Sequence, residues 1–154
     1  HGLSQAVGIA YALKNDTKDN RVICLMSDGE HQEGQTWEAV MSATKWGLGN
    51  LIAVMDYNGL QIEGSTDDIM PLGDLEAKYR AFDWSVMTID GHDMQSIQDA
   101  LDWADKNTKP TMIIAKTILG KGVSFMEDKW QYHDWHGKPE EAEKGIAELR
   151  ANFV

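Results

Sequence analysis

Two short polar segments carry the residues best suited to chemistry. Ser27-Asp28-Gly29-Glu30-His31-Gln32-Glu33-Gly34 follows an apolar run at 22–26, and Asp56-Tyr57-Asn58-Gly59-Leu60 follows another at 51–55. Asp28 and Asn58 lie thirty positions apart. A carboxylate and an amide oxygen are hard donors that suit a small divalent cation. Mg²⁺ fits best, because it keeps few protein ligands and completes its shell with phosphate oxygens and water. Gly29 lets the backbone approach an anion closely. A helix starting near Gly34 offers free N–H groups and a positive dipole end to the same anion. Taken singly, Asp-Gly and Asn-Gly are also favoured turn dipeptides. Their joint placement after two apolar runs is what points to a cation clamping a diphosphate.

For Asp28 and Asn58 to meet, the two apolar runs must be neighbouring strands. The pattern predicts strands at 21–26, 51–55, 84–89 and 111–117, and helices at 3–14, 34–46, 74–82, 94–106 and 140–152. In the helix at 34–46, Trp37, Val40, Met41 and Thr44 are expected on one face. A loop is expected from 58 to about 73 and a Gly- and aromatic-rich one from 120 to 139. Continuous apolar strands alternating with helices imply an α/β fold: one parallel sheet covered by helices on both faces, a three-layer αβα arrangement. In such a sheet ligands bind outside the carboxyl ends of the strands. Asp90-Gly91-His92-Asp93 and Lys116-Thr117 would stand at the other two ends, and His133 and His136 lie in the loop beyond. That loop is long for a connector, which marks it as functional or disordered. Asp93 reads as the N-cap of the helix that follows it.

The remaining composition narrows the class. The 154 residues are 42% hydrophobic and 25% charged, as in one ordinary globular domain. A net charge of −11 excludes nucleic acid as the main partner. No apolar run approaches the ~18–20 residues of a membrane span, and the first residues carry no basic-then-apolar secretion signal. The single cysteine, Cys24, reads as a small buried hydrophobe in a reducing, cytoplasmic setting. Six tryptophans and eight methionines are many for this length, and some are expected at an interface.

Asp28-Gly29 followed thirty residues later by Asn58 resembles the thiamine-diphosphate motif, Gly-Asp-Gly then Asn, with Ser27 in place of the first glycine. The surrounding text is similar to transketolase. His1-Gly-Leu-Ser-Gln-Ala-Val-Gly-Ile-Ala, Asp28-Gly-Glu-His-Gln-Glu33-Gly34, the strand leading into Asp56-Tyr57-Asn58-Gly59, Asp90-Gly-His-Asp93, Lys116-Thr117 and His136-Gly137-Lys138-Pro139 match in order along nearly the whole chain.

The resemblance implies a thiamine-diphosphate-binding (diphosphate-side) domain over 1–154, short at its N-terminus. Asp28, Asn58 and the carbonyl of Leu60 would bind Mg²⁺ or another divalent cation such as Ca²⁺ or Mn²⁺. Gly29, Glu33, Ile62, Leu119 and His136 would contact the cofactor, Ile62 against its rings and His136 at its diphosphate. His136 would also serve the proton chemistry, for which it is preferred over His133. The implied reaction moves a two-carbon ketol unit from a ketose phosphate to an aldose phosphate. The glutamate that activates the aminopyrimidine belongs to a pyrimidine-binding domain, which no part of this chain resembles. A partner domain or C-terminal subunit is therefore expected, in a homodimer or a heterotetramer with the cofactor at the interface. Other readings are a relative such as deoxyxylulose-phosphate synthase, and a non-catalytic cofactor-binding module. A dinucleotide-binding Rossmann domain is disfavoured, since the glycine fingerprint is missing after the first strand.

Overall fold

The apolar runs become strands whose alternate residues face two different layers of helix. The computed structural model describes residues 1–135 and 137–152. In chain order the elements are α1 (Gly2–Asn15), β1 (Val22–Ser27), a 3₁₀ turn (Gly29–Gln32), α2 (Gly34–Lys45), β2 (Leu51–Tyr57), β3 (Leu60–Gln61), β4 (Gly64–Ser65), α3 (Thr66–Ile69), α4 (Leu75–Ala81), β5 (Ser85–Asp90), α5 (Met94–Asp105), β6 (Thr111–Lys116), a second 3₁₀ turn (Trp130–Tyr132) and α6 (Pro139–Asn152). Strands β1, β2, β6 and β5 lie in that spatial order, all parallel. Ser27 pairs with Asp56, and Tyr57 with Lys116. The polar residues that end the strands therefore share one edge, as expected of a covered parallel sheet.

On the front face Cys24, Met26, Leu51, Ala53, Met55, Val86, Met112 and Ile114 pack with buried residues of α1, α2 and α4. On the back face Ile52 and Ile113 pack with Ala100 and Ala104 of α5. The back layer is partial: Ile23 and Leu25 on β1 are 60% and 74% exposed. Cys24 is a buried free thiol, as its apolar neighbours imply. Among the described residues no helix is long and apolar enough to cross a membrane.

Two expectations need adjusting. The inward face of α2 is Thr36, Ala39, Val40 and Ala43, while Met41 is 50% exposed. Small residues are chosen because α2 lies close against α1, which turns Ala6 and Ala10 inward, and side-chain size sets how near two helices can pack. The segment after Asn58 is no plain loop. It holds the β3–β4 hairpin and the short α3, capped by Ser65, whose hydroxyl accepts from the Asp68 N–H at 3.0 Å. Strands of two residues are too short to show a period. Asp93 caps α5 as expected, accepting from Gln95 N–H at 3.1 Å and Ser96 Oγ at 2.6 Å.

Candidate functional site

Asp28 follows β1 directly, and its side chain is held rather than free. It is 1% exposed. One carboxylate oxygen accepts the Gly29 N–H at 2.7 Å and the other the Gly59 N–H at 2.6 Å. The second bond joins the ends of β1 and β2, so Asp28 and the Asn58-Gly59 turn do share one crevice. Gly59 reaches its place with φ +73°, a conformation that favours glycine. Asn58 Oδ1 accepts the Leu60 N–H at 2.9 Å, which turns the chain into the hairpin. Ser27, where the family motif has glycine, is an ordinary strand residue and is not among those with positive φ. The replacement therefore costs the backbone nothing.

Burial pushes the Asp28 carboxyl above its usual range. The Gly59 and Gly29 N–H groups draw it back, nearby Asp56 raises it further, and His133 lowers it. Among the described residues no lysine or arginine forms an ion pair with it. A buried carboxylate with two N–H donors and no cationic side chain is chemically suited to a bound cation. No group of three or more His, Cys, Asp or Glu side chains able to hold a metal occurs among the described residues. Any cation here would therefore depend on amide, carbonyl or ligand oxygens besides Asp28.

The turn that carries Asp28 is braced from below. Glu30 accepts the Ser27 N–H at 2.8 Å and its carbonyl accepts from Thr36 Oγ1 at 2.8 Å. His31, 2% exposed, places Nδ1 3.0 Å from the Ser27 carbonyl and Nε2 2.7 Å from the Tyr79 hydroxyl. A carbonyl can only accept, so Nδ1 carries the proton and Nε2 accepts from Tyr79. Burial holds the imidazole pKa below its usual value, against the raising effect of hydrogen bonds to the backbone of Ser27 and Asp28. Trp37 donates to the His31 carbonyl at 2.9 Å and stacks edge-on near the ring. His31 is thus a neutral internal strut.

A cavity of about 460 Å³ opens over this turn. Asp28, Gly29, Glu33, Leu60, Ile62 and His133 line it, together with Ser27, Glu30, Gln61, Glu63 and Ile69. Ile62 stands at the hairpin tip, 59% exposed, so it is not a core residue. Asn58 bears on the cavity through the turn it makes rather than as a lining residue. Leu119 is half-buried and lies outside the lining. His136 lies outside the described residues. His133, which the motif places second to it, is the histidine found beside Asp28. Gln61, Glu30 and Tyr79 had no signal in spacing or motif.

Comparison with known proteins agrees with this geometry. The family described as transketolase, thiamine diphosphate binding domain, matches residues 1–154, and the chain belongs to it. A 6-deoxy-6-sulfo-D-fructose transketolase subunit, SqwG, from Clostridium sp. (strain MSTE9) is 45% identical over 96% of this chain and 54% of its own length. One of the two subunits named for an apulose-4-phosphate transketolase from Phocaeicola vulgatus is 40% identical over 97% of the chain and 53% of its own. The chain spans about half the length of these relatives. The crystal structure of transketolase from Campylobacter jejuni superposes with a TM-score of 0.88 at 33% identity, covering 97% of this chain and 24% of that one.

Proposed function

We propose that this chain is the diphosphate-side part of a transketolase, binding thiamine diphosphate through a divalent cation, Mg²⁺ foremost. The observation that carries the reading is Asp28: a buried carboxylate at the end of a parallel strand, tied to the next strand end and lacking a cationic partner. Asp28, the Asn58 side chain and the Leu60 carbonyl would hold the cation. Gly29 and the N-terminus of α2 at Gly34 would face the diphosphate. Ile62 at the hairpin tip would meet the cofactor rings, with Glu33 and Leu119 in supporting contacts. His136 is assigned by resemblance to the diphosphate and to proton transfer at the substrate, a task that suits imidazole. His133 is the competing choice, favoured by its place beside Asp28.

When bound, the cofactor supplies the electron sink that lets the bond beside a ketose carbonyl break, so that a two-carbon unit passes to an aldose. The chain's own residues bind, orient and shield. The hairpin and the Asp28 turn wall the cavity, and His136 or His133 moves a proton at the substrate oxygen. Turnover requires a pyrimidine-binding domain or subunit, in a homodimer or a paired assembly. The named relatives point to sugars with a terminal anion, phosphate or sulfonate, as substrates.

The test is calorimetric titration of thiamine diphosphate with Mg²⁺ into the complete protein, and into its Asp28→Ala and Asn58→Ala variants. Cation-dependent binding lost in both supports the assignment. Binding indifferent to both changes refutes it.

A further inference from the structure

Gln32 and Gln61 face each other across the mouth of the cavity. Gln32 Nε2 donates to Gln61 Oε1 at 2.8 Å, and Gln61 Nε2 donates back to Gln32 Oε1 at 2.9 Å. The two primary amides thus form a closed reciprocal pair. Gln32 has a second amide proton, and it goes to the Met70 carbonyl at 2.9 Å. One side chain therefore ties three segments: the 3₁₀ turn after Asp28, the β3–β4 hairpin and the end of α3. The Gln61 amide also lies over Gly29, where an added Cβ would stand 3.0 Å from Gln61 Nε2. Gly29 thereby does a second service beyond closeness to an anion: it leaves room for the amide that grips the hairpin.

The hairpin needs such a grip. Its ladder has only two residue pairs, Leu60 with Ser65 and Gln61 with Gly64. An isolated hairpin of two strands is marginal in water even when longer. At its base the Gly59 N–H reaches Asp28, and Thr66 N–H reaches the Gly59 carbonyl at 2.9 Å. Above the base, the hydrogen bonds from the Asp28 turn to the hairpin run through the glutamine pair among the described residues. Gln61 sits in sequence between Leu60, whose carbonyl is a proposed cation ligand, and Ile62, the proposed ring contact.

We propose that Gln32 and Gln61 are a positioning pair that fixes the hairpin against the Asp28 turn, so that Asp28, the Leu60 carbonyl and Ile62 engage one cofactor together. This rests on the reading of the site as a thiamine-diphosphate site. Neither glutamine is a catalytic residue in it. Each acts through the backbone it holds.

A side-chain amide left facing a lost partner is penalised, while replacing both partners by apolar groups of the same shape is far milder. That asymmetry gives the pair a signature. In the complete protein, titration of thiamine diphosphate at saturating Mg²⁺ is compared for Q61M, Q32M and the double variant Q32M/Q61M. Methionine keeps the length of glutamine and removes the hydrogen bonds. Each single change is expected to weaken cofactor binding about 10-fold. The double variant is expected to fall well short of the ~100-fold product of the two, because two methionines can pack where two amides met. With cofactor saturating, kcat should stay within about twofold of wild type in all three, so that the effect is in seating and not in chemistry. Q61N keeps the amide but is one methylene too short, and should lose binding as Q61M does. It guards against a methionine variant that fails to fold.

Three results overturn the pair. Singles that bind like wild type would show that the hairpin needs no clamp. Losses that multiply in the double variant would show two independent amides. A harmless Q32M beside a damaging Q61M would make Gln61 a direct ligand instead. Asp28→Ala separates the pair from the site it serves. If it abolishes cation-dependent binding while Q61M and Q32M do nothing, the pair alone fails. If binding survives Asp28→Ala, the site reading fails and takes the pair with it.

Discussion

Two crevices open along the same edge of the sheet, one at the ends of β1 and β2 and one at the ends of β5 and β6. The second is the roomier, about 770 Å³ against about 460 Å³, and it too is lined by ionisable side chains, among them Asp90, His92, Asp93, Lys116 and Lys121. Yet its polar groups are spent on local backbone. Asp90 accepts the His92 N–H at 2.8 Å, Asp93 caps α5, and His92 Nε2 accepts the Ile118 N–H at 2.7 Å. Asp56, between the two crevices, accepts a hydrogen bond from Thr117. Only at β1–β2 is a carboxylate buried against two N–H donors without a cationic side chain, among the described residues. Burial of charge separates a binding site from a merely polar edge, because a desolvated charge is tolerated only where something will compensate it.

The largest expected effect tests that distinction directly. Asp28→Ala should weaken Mg²⁺-dependent binding of thiamine diphosphate by more than about 100-fold, since loss of even an indirect contact to a metal costs 10–100-fold. Calorimetry on the complete protein reads it. A loss below about 10-fold would erase the contrast between the crevices.

Beneath Asp28, the strut is the next place to cut. Tyr79→Phe removes the hydroxyl that donates to His31 Nε2 and leaves a buried acceptor unpaired. Such a loss costs about 1–3 kcal/mol, to be measured as a lower midpoint in urea unfolding. The imidazole pKa is held down by burial. The stability His31 contributes is therefore fully present above its unfolded pKa of about 6.5 and is lost as pH falls through its folded value. Wild type should accordingly weaken on the acid side of about pH 6.5, and His31→Gln should flatten that dependence.

The Asp28 carboxyl shifts the other way, and the sign matters. Its folded pKa lies above the unfolded one, chiefly through burial. The apo fold is favoured by protonation of this group, and that advantage is lost as pH rises through the folded pKa. A bound cation needs the carboxylate. The rise in melting temperature produced by Mg²⁺ with thiamine diphosphate should thus be full near pH 7 and fade as pH falls through the raised Asp28 pKa. A Mg²⁺ effect equally large at about pH 4 would mean that Asp28 is not its ligand.

How far the sequence reached follows the same divide. The order of strands and helices, the shared edge and the meeting of Asp28 with the Asn58-Gly59 turn were legible because apolar runs and turn dipeptides are local signals. The β3–β4 hairpin was not, since two-residue strands have no period. His31, Tyr79 and Gln61 were hidden for another reason. Their partners lie 48 residues away for His31 and Tyr79, and 29 for Gln32 and Gln61, and only the fold brings them together. Met41 was misplaced on α2 because hydrophobicity alone cannot say that a tight helix contact prefers Ala39 and Ala43.

The smallest expected effect lies in the other crevice. His92→Ala removes an acceptor from the Ile118 N–H, a bond between exposed groups, so water can replace it. Thiamine diphosphate binding should stay within about twofold of wild type, and stability should change by less than about 0.5 kcal/mol, as at most surface sites. The measurement pairs calorimetry with thermal melting on the same variant. A tenfold loss of cofactor affinity would make the two crevices parts of one site, with the segment at 117–119 as the link. Leu119, half-buried in that segment, would then enter the cofactor contacts through the backbone that His92 holds.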